Sequence, residues 1–410
     1  MPAHTRCRIC DTALPAPFLD LGTMPLANAF LSEPTQFENE VSYPLAVTAC
    51  TLCSLAQLTY TVPADVLYRD YIYVSSTSDG VRAHADVLAE DLIRRYDWGA
   101  HDLVVEIASN DGTVLQAFQS RGMQVLGVEP AANIAAIAAA VGVPTLAEFF
   151  TEPTATDIAR RVGRVAGIVA RHVFAHVDDL HDFVRGAEQL LEPGGVLVIE
   201  VPYFGDLLAH FEFDTVYHEH LSYFAIEPFE RLMAMHDLRV VDVDRVTLHG
   251  GSMILHICRA DSERQPSTRL EEMRVAERGH AVSSTGRLAA FAAGVREWRR
   301  EFESLVDDLV AGGGQLVGYG AAAKANTLLN HCPRVARSLS SILDRSPHKH
   351  GRYTPGTHLR VDPVEQWQDA QASHMLVLAW NFKDEIMRQM QPFADTGGRF
   401  VIPIPRPIVV

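Results

Sequence analysis

From residue 103 to residue 201 the chain alternates short, continuously apolar runs with longer amphipathic stretches, and that rhythm leaves few folds open. Leu103-Val-Val-Glu-Ile-Ala108 is apolar on both faces apart from Glu106, the mark of a strand buried from both sides. A helical pattern over 81–96 leads into it, Ser109-Asn-Asp-Gly112 turns the chain, and Thr113-Val-Leu-Gln-Ala-Phe118 opens the next helix. Gln124–Val128, a run near Thr145, Ala166–Ala170 and Gly195–Val201 read as further strands, with a helix ending at Leu191. Arg239–Arg245 and Ser252–Cys258 read as a closing antiparallel pair. Strands alternating with helices predict a doubly wound α/β sheet.

The first turn decides what such a sheet binds. A dinucleotide fold places G-x-G-x-x-G there, whose bare backbone cradles a diphosphate. Here the corresponding positions are Ala108, Asn110 and Gly112, so a diphosphate is poorly served. S-adenosylmethionine carries no phosphate, and the E-x-A-x-N-x-G turn with Glu106 and Asn110 suits it. Glu129 ends the second strand, where an acidic residue accepts from two ribose hydroxyls. Ser109, Gly112 and Phe149 complete the expected cofactor set.

Each end of the chain adds a unit. Cys7-x-x-Cys10 and Cys50-x-x-Cys53 are two knuckles that together supply four thiolates, the donor set of a structural zinc ion. So short a segment buries little core unaided, which explains the metal. Pro25-Leu-Ala-Asn-Ala-Phe30 between the knuckles reads as an apolar surface loop. Tyr68–Ser76, rich in phenols and including Tyr73, suits one wall of a pocket. At the other end, 262–310 reads as one or two long polar helices, with Gly279 and Gly286 as breaks. Gly312–Asn326 then repeats strand, glycine turn and helix. Gly318 and Gly320 free amides at a helix N-terminus, an anion site to which Lys324 adds charge. Arg345, Lys349, Arg352 and Arg360 follow; Tyr319, Lys324 and Arg352 are the expected substrate contacts. Pro403, Pro405 and Pro407 make the tail an extended edge.

The expected division is 1–78 for zinc, 79–262 for S-adenosylmethionine and 263–410 for a second Rossmann-like domain with a diphosphate site. With 410 residues the chain exceeds one core. A net charge of -16 excludes nucleic acid as a general partner. The absence of an apolar run of membrane length points to a cytoplasmic protein, expected to act as a monomer without a membrane.

Phe213-Asp-Thr-Val-Tyr-His-Glu-His-Leu-Ser-Tyr-Phe224 carries four proton-handling side chains in a row, Tyr217, His218, Glu219 and His220. Histidine titrates near neutrality, and an adjacent carboxylate or phenol sets its tautomer and basicity. An extended loop would place Tyr217 and Glu219 on one side and both histidines on the other. No third metal ligand is evident nearby, which disfavours a metal at His218-x-His220.

Taken together, these motifs resemble the sugar C-3 methyltransferases of antibiotic deoxysugar pathways, which act on nucleotide-linked 4-keto sugars. The shared features are the four cysteines, Pro25–Phe30, Glu106–Gly112, Gly127-Val-Glu-Pro130, Tyr217-His-Glu-His220, His249-Gly-Gly-Ser252 and Gly318-Tyr-Gly-Ala-Ala-Ala-Lys324, in order along essentially the whole chain. The resemblance implies His220 as general base, Tyr217 and Glu219 in support, and His176 lining the site. Tyr73 belongs with this catalytic set. His172 stands where the family commonly has Asn. The implied reaction is removal of the C-3 proton of a dTDP-linked 4-keto-deoxysugar, with Tyr217, His172 or His176 steadying the enolate, and methylation from S-adenosylmethionine. One rival is a nicotinamide-dependent nucleotide-sugar oxidoreductase using the C-terminal glycine turn, which lacks the full fingerprint. Another is a zinc-bearing assembly module without catalysis, which the Tyr-His-Glu-His run disfavours.

Overall fold

The computed structural model describes residues 4–68, 74–246 and 251–410. Strands β1 (Leu19–Pro25), β2 (Ser42–Ala49) and β3 (Ala56–Leu58) form an antiparallel sheet beside the cysteine knuckles. One face of it buries Leu45, Val47 and Leu58.

The central unit contains β4 (Leu103–Ile107), β5 (Gln124–Val128), β6 (Thr145–Leu146), β7 (Val165–Arg171) and β8 (Leu191–Pro202), all parallel. The chain then leaves this sheet: β9 (Ser222–Tyr223) pairs with β3 and completes the N-terminal sheet. It returns as β10 (Leu238–Val246) and β11 (Ser252–Arg259), the expected antiparallel pair. The order is β10-β11-β8-β7-β4-β5-β6. A dinucleotide-binding sheet runs 3-2-1-4-5-6; this one differs by the antiparallel β11 inserted between β8 and β10. The crevice where strand order reverses lies at the carboxyl ends of β4 and β7.

Two helices, Thr268–His280 and Thr285–Ala311, join this unit to the last one. The break falls between the expected glycines rather than at either. Ala281 takes a left-handed φ of 48°, and Ser284 caps the second helix through the Arg287 N–H. A cap residue redirects the backbone where two single glycines inside helices do not.

The last unit holds β12 (Leu316–Tyr319), β13 (Leu339–Asp344), β14 (Val361–Pro363), β15 (His374–Val377), β16 (Arg399–Ile402) and β17 (Ile408–Val409), in the order β14-β13-β12-β15-β16-β17. All pairs are parallel except β16 with β17, so the proline-rich tail is indeed an extended edge. Its crevice lies at the ends of β12 and β15. Phe213 from the central unit packs on Trp298 at 4.7 Å, and Asn326 donates to the Ala27 carbonyl at 2.6 Å, so all three sheets meet around one region. Among the described residues no helix is long and apolar enough to cross a membrane.

Candidate active site

The four knuckle sulfurs lie within 4.8 Å of one another, with Cys7–Cys53 at 3.3 Å and Cys10–Cys50 at 3.4 Å, all as free thiols. A tetrahedral zinc with sulfurs at about 2.3 Å needs sulfur separations of about 3.8 Å, so the cluster fits zinc. The Ile9 and Leu52 N–H groups already donate to the Cys7 and Cys50 sulfurs, as they would to thiolates. The hydrogen bond from Cys53 pulls the Cys7 thiol down to about 5.

At the end of β4 the turn is wound tightly. Ala108, Asn110 and Gly112 all have positive φ, at 54°, 50° and 81°. A non-glycine residue in that region costs roughly 1–2 kcal/mol, so this backbone is held in place by its surroundings. Glu129, just past β5, accepts from the Asn110 N–H and the Ala131 N–H at 2.9 Å each, one per oxygen. Each oxygen keeps a lone pair for a ribose hydroxyl. Glu106 Oε2 is buried with no partner, and burial holds this carboxyl well above its usual range, with Arg171 opposing. The ammonium of S-adenosylmethionine is the kind of donor it lacks. Ser109 is buried with its hydroxyl unpartnered, and Phe149 stands exposed after β6. Asn110 and Asp111 have a further role: their side chains accept the Ser75 and Ser76 N–H groups at 2.9 Å, tying the segment after residue 73 to the turn. Tyr73 itself lies outside the described residues.

The histidine loop does not run extended. The His220 N–H bonds the Tyr217 carbonyl at 3.0 Å, closing a turn that swings Tyr217 toward His220 instead of away from it. The phenol lies 2.8 Å from His220 Nε2, while His220 Nδ1 lies 2.9 Å from the Thr215 carbonyl. A carbonyl only accepts, so Nδ1 carries the proton and Nε2 is the acceptor. Burial lowers His220 to about 4. His176 stacks between Tyr68, at 5.7 Å, and His220, at 5.2 Å, and its Nε2 is buried without a partner. Burial and the adjacent His220 hold it well below the usual range. Glu219 accepts from Asn28 Nδ2 at 2.6 Å, and burial raises it to about 7. His218 turns the other way, donating from Nε2 to the Tyr43 carbonyl at 3.2 Å.

His172 takes a left-handed φ of 51°, a conformation in which Asn is at ease and His is tolerated. Its Nε2 lies 3.1 Å from Glu200. Glu200 also accepts from Arg171 at 2.7 Å and pairs with His84 at 3.0 Å. Burial alone would raise this fully buried carboxylate; His172 and Arg171 overcome it and hold it well below the usual range. Glu200, Arg171, His84 and Asn28 were not picked out from the sequence as site residues. An acid ending the apolar run Val196–Ile199 was the signal for Glu200.

In the last unit Tyr319 donates to Gln389 at 2.9 Å, and Arg352 makes no ion pair among the described residues. Lys324 points to the interface: Nζ donates to Asn381 at 2.7 Å and sits 4.6 Å over the Trp380 ring. Burial lowers it, opposed by Asp214 and Glu212. Lys349, not Lys324, reaches the glycine turn, donating to the Ala321 carbonyl at 2.8 Å.

A doubly wound sheet with one antiparallel strand, β11, whose first turn lacks phosphate-cradling glycines yet keeps an acid at the second strand's tip, is that of an S-adenosylmethionine-dependent methyltransferase. Residues 83–243 match a methyltransferase domain, 7–68 a putative zinc binding domain and 247–405 a C-methyltransferase C-terminal domain. The C-methyltransferase NovU of Streptomyces niveus is 34% identical over 404 residues, covering 98% of this chain and 96% of that protein. The chain belongs to this family of C-methyltransferases and is an S-adenosylmethionine-dependent enzyme with a small-molecule substrate. Among solved structures, magnesium protoporphyrin IX methyltransferase from Synechocystis PCC 6803 is 12% identical, spanning 48% of this chain and 91% of its own, with a TM-score of 0.35. The CcbJ methyltransferase from Streptomyces caelestis is 16% identical, spanning 43% of this chain and 89% of its own, with a TM-score of 0.34.

Proposed function

We propose that the chain removes the C-3 proton of a dTDP-linked 4-keto-deoxysugar and methylates that carbon, a step of antibiotic deoxysugar assembly, with His220 as the base. The observation that carries this reading is the fixed tautomer of His220: Nδ1–H on the Thr215 carbonyl leaves the Nε2 lone pair as the basic site. A low folded-state pKa keeps Nε2 unprotonated at neutral pH, its lone pair accepting the Tyr217 phenol until substrate takes that place. The imidazolium formed on deprotonation is then stabilised by the enolate beside it, so the proton moves only when substrate is present.

The C-3 hydrogen is acidic because the neighbouring ketone spreads the developing charge onto oxygen. Tyr217, already at Nε2, and His176, with a free buried nitrogen, are the donors to that oxygen; His172 is the third candidate. Glu219, held by Asn28, keeps the turn in place. When bound, S-adenosylmethionine supplies an electrophilic methyl group; Glu129, Glu106 and the Asn110 turn would hold it. The nucleotide would lie on the third unit, with Tyr319 and Arg352 toward its diphosphate and Lys324 at the interface beside it, the unit boundaries falling near residues 78 and 262. Of these, Arg352 makes no ion pair among the described residues.

Proton removal is observable without methyl transfer. In D₂O, with dTDP-4-keto-deoxysugar and S-adenosylhomocysteine, the wild type exchanges the C-3 hydrogen for deuterium. His220→Asn abolishes exchange and turnover while both ligands still bind, and His218→Asn is milder. Retained exchange in His220→Asn would move the role to His176 or Tyr217.

A further inference from the structure

His220 owes its tautomer to one backbone carbonyl, and that carbonyl belongs to a short 3-10 turn, Phe213–Thr215. The turn is gripped from the third unit. Asp214 is fully buried, and its Oδ2 accepts the Trp380 indole N–H at 2.7 Å. Its other oxygen is buried with no hydrogen-bond partner. Trp380 begins the turn that follows β15, at the crevice where strand order reverses. Lys324 lies over the same indole and is tied to the next residue, Asn381. On the other flank Phe213 is wedged against Trp298 and His331. The Lys324 charge and the N–H groups of the Asp214 turn only partly offset the burial of this carboxylate, which costs several kcal/mol, and an apolar residue would fill the space at less cost. Its presence needs an account beyond packing.

We propose that Asp214 and Trp380 are positioning residues for the base: the indole N–H fixes Asp214, which fixes the Phe213–Thr215 turn, which presents the Thr215 carbonyl to His220 Nδ1. This rests on the reading of His220 as the base. The third unit thereby sets the protonation geometry of a histidine in the second, from the loop that borders its own ligand crevice. Neither residue touches the reacting atoms.

The test uses the full chain labelled with ¹⁵N-histidine, with His220 assigned through His220→Gln and no substrate present. The wild type shows His220 protonated at Nδ1 and bare at Nε2. Trp380→Phe keeps the ring and removes the N–H; His220 becomes a mixture of tautomers. Its kcat for methyl transfer falls about tenfold or more while KM stays within about twofold, the signature of lost transition-state alignment. Asp214→Ala reproduces both effects, and the double variant is no worse than either single one, as expected of one chain of contacts. Glu40→Gln is the control. It weakens another contact to the third unit, where Glu40 accepts from Gly356 and pairs with His358, and leaves the His220 tautomer unchanged. An unaltered His220 pattern in Trp380→Phe overturns the proposal, as does an equal change in Glu40→Gln. Should Asp214→Ala not fold, Trp380→Phe alone decides. Because the tautomer is read without substrate, a wrong substrate assignment leaves that result intact.

Discussion

His220 sits in so little water that its imidazole is lowered to about 4 from an ordinary value near 6.5. The proposed base is therefore neutral through the physiological range. The acid limb of kcat/KM belonging to this group should lie near pH 4, and a limb near 6.5 would show a solvated histidine doing the work. The same shift has a stability consequence. Between about pH 6.5 and 4 the unfolded chain binds a proton there that the folded chain does not, so this site lowers stability as pH falls through that window. Glu129 gives a second test: Glu129→Ala removes a charged acceptor worth roughly 1.5–3 kcal/mol and should weaken S-adenosylmethionine binding about ten- to a hundredfold by calorimetry. At this scale the residue types were legible and their pairing was not. Strand-like alternation separated Tyr217 from His220, whereas one backbone hydrogen bond brings them together.

Among the elements, the cysteine knuckles carry more than their own fold. β3, which follows the second knuckle, pairs with β9 directly after the histidine turn, and Asn28 reaches Glu219. Cys53→Ser should lose the zinc, by elemental analysis, and lower turnover about a hundredfold, the usual effect of misplacing a catalytic group by an ångström. S-adenosylmethionine affinity should persist, because the cofactor turn belongs to another sheet; loss of both together would mean the knuckles brace the whole chain. Elements whose cause is local were readable in advance, such as the paired C-x-x-C and the continuous apolar strands, although the Ser284 cap was passed over for two glycines. The Pro25–Phe30 loop shows the limit, since nothing local reveals that its one amide meets a carboxylate 191 positions away.

The whole molecule repeats one device. In the central unit Glu129 receives N–H groups from the first turn and from its own residue plus two. In the last unit Asp344, ending β13, receives those of Ala321 and Ser346 at 2.7 and 2.8 Å in the same way. Two crevices of one design support the proposal of two ligands that each carry a sugar next to a base. Arg352→Ala should then raise the KM for the nucleotide sugar about tenfold or more and leave S-adenosylmethionine affinity alone; a joint loss would contradict separate sites. The central sheet follows from periodicity in the sequence, and the last one from the strand, turn and helix repeated at 312–326, whereas the N-terminal sheet was not read from it. Their mutual contacts, such as Asp214 with Trp380, depend on packing between distant segments and have no sequence period to announce them.

The account turns on where the methyl group goes. Purified protein given S-adenosylmethionine labelled with deuterium in its methyl group and a dTDP-4-keto-deoxysugar should yield a sugar carrying the labelled methyl on C-3, with the original C-3 hydrogen lost to solvent. A labelled methyl on an oxygen or nitrogen, or a C-3 hydrogen still in place, would contradict it.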